Sequence, residues 1–146
     1  MPRVLPPLFA ALLVLPLLGS DAPRGYEDGE AAADVLEGRW RKVRVVYGGQ
    51  DLGASGQPLL TVRDGTFTWE GSTPATAGTY VLRPGTRPAR VDQLPTSGPG
   101  KDDTWRMIYR VDGDTLLIAY TVSLREYPKG FDDPDAFVTT MRRERK

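Results

Sequence analysis

Two Asp-Gly dipeptides, Asp64-Gly65 and Asp112-Gly113, each sit between short segments that alternate apolar and polar residues. Such a dipeptide favours a two-residue type I′ turn, because both central positions need positive φ, and the turn then fixes a hairpin and its register. Residues 59–63 and 66–70 pair Val62 with Phe67 and Leu60 with Trp69, which puts these four on one face and Thr61 and Thr68 on the other. On the same principle residues 104–111 and 114–122 pair Tyr109 with Leu116, Met107 with Ile118 and Trp105 with Tyr120. Two hairpins that independently choose one apolar face point to a sheet with a single core side.

The remaining segments extend this pattern. Turn signals recur at the spacing of an all-β domain. Residues 39–47 read as the first strand, with Trp40 out of phase with Val43, Val45 and Tyr47, so a bulge or bend is expected if all four face the core. Residues 48–58 read as a loop, 79–83 and 89–94 as strands around the breaker segment 84–88, and 137–143 as the last strand. The count is about eight strands. An antiparallel meander of that number removes its exposed edges by closing, so the expected fold is all-β: a small up-and-down barrel with a short N-terminal helix. Gly38, two positions before Trp40, suits the entry to such a barrel, because it permits a close bend while the indole plugs one end.

Residues 1–20 carry a basic start at Arg3, an unbroken apolar run and a small-residue end at Gly19-Ser20, which is the pattern of a signal peptide. The run is shorter than the roughly 20 residues of a membrane span, and Pro6, Pro7 and Pro16 would spoil a helical span further. Export to the periplasm or the exterior is therefore expected, with no stable membrane span after processing. Residues 21–35 read as a polar linker containing the short helix, and 36–146 as the barrel domain.

The chain has 19 basic residues, 19 acidic residues, no His and no Cys. Removing the leader takes away Arg3 alone among charged residues and leaves one net negative charge. A nearly neutral surface has no long-range attraction for phosphate backbones, so no nucleic-acid partner is expected. Without His or Cys there is no Ser-His-Asp or Cys-His arrangement and no His-ligated zinc. Asp132, Asp133 and Asp135, with Asp102 and Asp103, lack the alternate spacing of a calcium loop. Nothing in the sequence brings Glu70 and Asp92 together as a glycosidase-type carboxylate pair. No catalytic residue, metal or cofactor is expected.

A set of motifs in order completes the reading: Leu36-Glu37-Gly38-Arg39-Trp40, Gly78-Thr79-Tyr80, Pro88 with Val91-Asp92, Gly98-Pro99-Gly100-Lys101, Ile108-Tyr109 leading to Asp112-Gly113-Asp114-Thr115-Leu116, then Pro128, Phe131 and a basic last strand. In these, residues 36–144 resemble an uncharacterised lipocalin-like domain family abundant in planctomycete bacteria. The chain departs from that family at Ala119, Val122-Ser123 and Tyr127, where its members often carry Cys, Pro-Pro and Arg. The resemblance implies a fold and export rather than an activity. The looser similarity to lipocalins implies that Arg143, with Arg142 as second choice, covers Trp40 beside Gly38.

An eight-stranded barrel is either just filled by its side chains or open enough for one small ligand. Two readings follow. A small hydrophobic molecule would be lined by Trp69, Tyr80, Trp105, Tyr109 and Tyr120; alternatively the core is filled, and loops 48–58, 95–103 and 124–136 carry contacts with a protein or envelope partner.

Overall fold

The computed structural model describes residues 33, 35–56, 58–71 and 74–145, and the expected leader and most of the linker lie outside them. Among the described residues nine strands follow one another: β1 (Gly38–Tyr47), β2 (Gln50–Gly53), β3 (Leu59–Arg63), β4 (Thr66–Glu70), β5 (Thr76–Arg83), β6 (Ala89–Ser97), β7 (Trp105–Asp112), β8 (Thr115–Thr121) and β9 (Ala136–Arg143). All neighbours are antiparallel in the order β2-β1-β3-β4-β5-β6-β7-β8-β9, and β1 pairs again with β9. Eight strands thus close a lipocalin-like up-and-down barrel, while β2 hangs from the far half of β1. The closing seam runs from Trp40↔Arg143 to Tyr47↔Phe137.

The first Asp-Gly turn forms as its chemistry dictates. Asp64 and Gly65 sit at φ 50° and 76°, and Val62↔Phe67 and Leu60↔Trp69 are paired. The second hairpin differs from expectation. Its two turn residues are Gly113 and Asp114, closed by Asp112↔Thr115, so Tyr109 faces Ile118 and Met107 faces Tyr120. Gly113 alone is left-handed, at φ 56°, which is the pattern of a type II′ turn with Gly in its first position. A slip of two residues keeps every side chain on its face, so the core assignment survives while the partners change.

Two further differences concern β1. Residues 48–58 hold β2 rather than a plain loop, because Gly48 and Gly49, at φ 56° and 77°, make a tight turn that sets Gln50 opposite Tyr47. All four β2 residues are exposed, so no apolar alternation marks them. The bulge expected in β1 occurs between Lys42 and Arg44, but it brings only part of the set inside. Val43 is the bulged residue itself and is 39% exposed, whereas Trp40 and Val45 are buried.

A hydrophobic cluster lies inside the barrel, and Trp40, Leu60, Phe67, Leu116 and Met141 are among its most deeply buried members. At its base, residues 33, 35 and 36 end a helical turn in which Glu37 donates its amide to the Ala33 carbonyl at 3.1 Å. The last carbonyls of a helix need donors from elsewhere. Here Trp40 Nε1 donates to Leu36 O at 2.9 Å, and Arg143 donates through Nη1 to Glu37 O at 2.5 Å and through Nη2 to Val35 O at 2.9 Å. The same guanidinium lies 4.1 Å above the Trp40 ring. Gly38, at φ 130°, leaves room for it, since a Cβ there would stand 2.8 Å from Arg143 Nη1.

Ion pairs ring this base. Arg41 donates to Glu144 at 2.7 Å and Arg145 to Asp114 at 2.6 Å. Each arginine holds its carboxyl partner below the ordinary range. A depressed folded-state value means that the stabilisation is present above about pH 4 and is lost as pH falls through the folded value. The melting temperature should therefore drop on acidification below that pH. Thermal melts of an E144Q/D114N variant should show a shallower drop.

Candidate functional site

All five aromatic residues expected to line a ligand pocket point into the barrel and pack within or against its hydrophobic cluster. Tyr109 is buried; Trp69, Tyr80, Trp105 and Tyr120 are half-buried. Three of them already have partners inside the barrel. Trp69 Nε1 donates to the buried Gln93 Oε1 at 2.9 Å, Trp105 lies 6.5 Å from Phe67 between centroids, and Tyr120 stacks on Phe137, which stacks on Tyr47. Burial pushes the Tyr109 and Tyr120 hydroxyls above their ordinary range, with the Tyr80 phenol adding to it at Tyr109.

The turn at 98–103 roofs this end. Thr76 Oγ1 donates to Pro99 O at 3.0 Å, and the Asp102 amide to Pro95 O at 3.0 Å. Gly100, at φ 83°, lies so close to the Trp105 indole that a Cβ would stand 2.3 Å from its Cζ2. Backbone thus rests directly on the ring. Neither of the two clefts described next opens into the barrel interior.

The larger cleft, about 560 Å³, is on the outer surface and is lined by Arg83, Arg90, Asp92, Arg106, Arg125, Glu126 and Tyr127. It arises because the odd and even positions of a strand face opposite sides. On β5, β6 and β7 the inward residues are Leu82, Val91 and Met107, so Arg83, Asp92 and Arg106 face out. Register sets Arg83 opposite Arg90 and Asp92 opposite Arg106.

Residues 122–135 then fold back over this outer face. Arg106 donates its amide to Leu124 O at 2.9 Å and its Nη1 to Arg125 O at 2.6 Å. Tyr127 donates its hydroxyl to Asp92 Oδ1, while Asp92 Oδ2 accepts Arg83 Nε at 3.2 Å and Nη2 at 3.1 Å. Arg90 lies 4.3 Å over the Tyr127 ring, and Arg110 lies 5.1 Å over Phe131. Beneath the strap Ile108 and Ala119, paired on the outer face, are both 0% exposed. The Asp92 carboxylate raises the Arg83 guanidinium above its ordinary range; burial and then the Asp92 hydrogen bond raise the Tyr127 hydroxyl.

A second groove of about 360 Å³ lies between the β1–β2 turn and the same strap, lined by Val46, Gly48, Gly49, Phe131, Pro134 and Val138 among others. Its acidic residues serve backbone geometry: Asp133 accepts the amides of Lys129 and Asp135, each at 3.0 Å. Among the described residues no group of three Asp, Glu, His or Cys side chains converges to hold a metal ion. Glu70 lies past the Trp69↔Thr76 pair, whereas Asp92 faces Val81 five residues further along β5.

Sequence reading missed the arginine cleft. Outward charges on strands are ordinarily solvated, and only the pairing of Arg83 with Arg90 across the 84–88 turn hinted that these would gather. No protein-family model, curated protein or solved structure matches the chain.

Proposed function

We propose that this chain is an exported, non-catalytic binding module of the lipocalin-like kind to which its motifs are similar, with a structural interior and its contacts made on the outside. The observation that carries this reading is that each inward aromatic already has a partner, Trp69 with Gln93, Trp105 with Phe67 and the Gly100 backbone, and Tyr120 with Phe137, set against outer clefts lined in part by the 122–135 strap. An interior filled to ordinary packing density leaves little space for a drug-sized ligand. Loops on a rigid barrel are the usual place for recognition. Loops 48–58 and 124–136, expected as contact loops, both contribute to the outer grooves. Among the described residues no helix is long and apolar enough to cross a membrane.

A second reading, a small apolar molecule near the 98–103 roof, draws support from the partial exposure of Trp69, Tyr80, Trp105 and Tyr120. Native mass spectrometry of the processed protein, before and after soaking with a fatty-acid mixture, separates the two. A clean polypeptide mass in both states is expected. Stoichiometric retention of lipid, with quenching of tryptophan fluorescence, would sink the filled-barrel reading.

A further inference from the structure

The outer cleft holds four arginines against two carboxylates, a surplus of two positive charges. Like charges directly opposite on neighbouring strands are destabilising, yet Arg83 and Arg90 occupy such a pair. Asp92 compensates one of them only. Its two oxygens are already taken, Oδ2 by Arg83 and Oδ1 by the Tyr127 hydroxyl, and it is 7% exposed. Among the described residues Arg90, Arg106 and Arg125 form no ion pair.

The guanidinia are nevertheless held in place. Arg83 is fixed by its two bonds to Asp92, Arg90 by the ring of Tyr127, and Arg106 by the Arg125 carbonyl. Each guanidinium has five N–H donors, and these contacts leave most of them unused. Groups ordered before a ligand arrives lose less entropy on binding it. A rigid fork of N–H donors matches carboxylate and phosphate oxygens, and a tetrahedral group can meet several forks at once. Charge then chooses within that class: a phosphate monoester carries about two negative charges at neutral pH, which equals the surplus.

We infer that the cleft formed by Arg83, Arg90, Arg106, Arg125 and Tyr127 is a binding site for a phosphoryl dianion, either free phosphate or a phosphate monoester carried on a larger molecule. The inference takes from the preceding reading only that recognition is on the outer face. Its ligand is recognised by charge and forked hydrogen bonds, and the Asp92–Tyr127 clamp keeps the strap at the distance that brings Arg125 to the site.

Isothermal titration calorimetry at neutral pH and constant ionic strength tests it, with inorganic phosphate, phenyl phosphate and phenyl sulfate as probes. Phenyl sulfate has the same shape but one charge fewer. Saturable binding of both phosphates, or of phenyl phosphate alone, is expected; the first result points to the free ion and the second to a carried group. Phenyl sulfate should bind about tenfold or more weakly, and R90Q and R106Q should each weaken phosphate binding by a similar factor. These positions are exposed, so both variants should melt as the wild type does, and R63Q on β3 should bind unchanged. No saturable heat with either phosphate, equal binding of phenyl sulfate, or full retention of binding in R90Q and R106Q overturns the site. Such a failure is distinct from failure of the filled-barrel reading, which lipid retention decides.

Discussion

Trp40→Ala should lower the free energy of unfolding by about 3–5 kcal/mol, the range for truncating a large buried aromatic. Trp40 is 0% exposed and stands where three separate constructions meet. Its ring fills the base of the barrel, its Nε1 supplies the donor for Leu36 O, and its face carries the Arg143 guanidinium. Truncation opens a cavity beside a helix end that then lacks one donor, and strips a partly buried cation of its aromatic surface. Guanidinium denaturation followed by circular dichroism measures the loss. Trp40→Phe separates the parts, since it keeps a ring but removes the N–H; it should recover most of the stability. An alanine variant within 1 kcal/mol of wild type, well under the usual core range, would mean that the indole does not seal the barrel.

Asp92→Ala should cost about 1–3 kcal/mol, the penalty for leaving a partly buried donor without its acceptor. The cost falls mainly on the Tyr127 hydroxyl, because Arg83 is more than half exposed and water replaces its lost partner. The more telling consequence is local. With the clamp gone and Arg83 uncompensated opposite Arg90, the strap at 122–135 loses its strongest tie to β6 and should open before the barrel does. Limited proteolysis should cut that segment faster in the variant under conditions where the barrel remains intact. Equal cutting rates in variant and wild type would show that the clamp does not hold the strap.

The parts of the fold legible in sequence are those set by local chemistry. Asp64-Gly65 names its own turn, and the alternation of Leu60, Val62, Phe67 and Trp69 fixes which side is inside. Gly38, Trp40 and Arg143 are legible for a different reason: the similarity to lipocalins implies that set, and the register of the closed sheet pairs Trp40 with Arg143 directly.

What escaped reading has equally definite causes. Asp112-Gly113-Asp114 offers a glycine that serves either of two turn types, and a two-residue slip leaves the apolar face unchanged, so periodicity cannot choose between them. Strand β2 has no buried residue and is held by backbone pairing beyond a Gly-Gly turn. The outer cleft depends on residues 122–135 crossing β6 and β7, a non-local event carried by Asp92 and Tyr127, which lie 35 positions apart. In the sequence Tyr127 stands out only as a departure from a family pattern. In the fold its hydroxyl ties the strap to Asp92 and its ring lies under Arg90.

Closure of the sheet between β1 and β9 underlies both the sealed base and the filled interior proposed above, and nuclear Overhauser contacts across that seam test it most directly. Backbone contacts between Lys42 and Met141 and between Val45 and Thr139 should be present, with slow amide exchange along both edges of β1. Absence of these contacts, with β1 or β9 amides exchanging as a free edge does, would describe an open sheet and contradict the barrel.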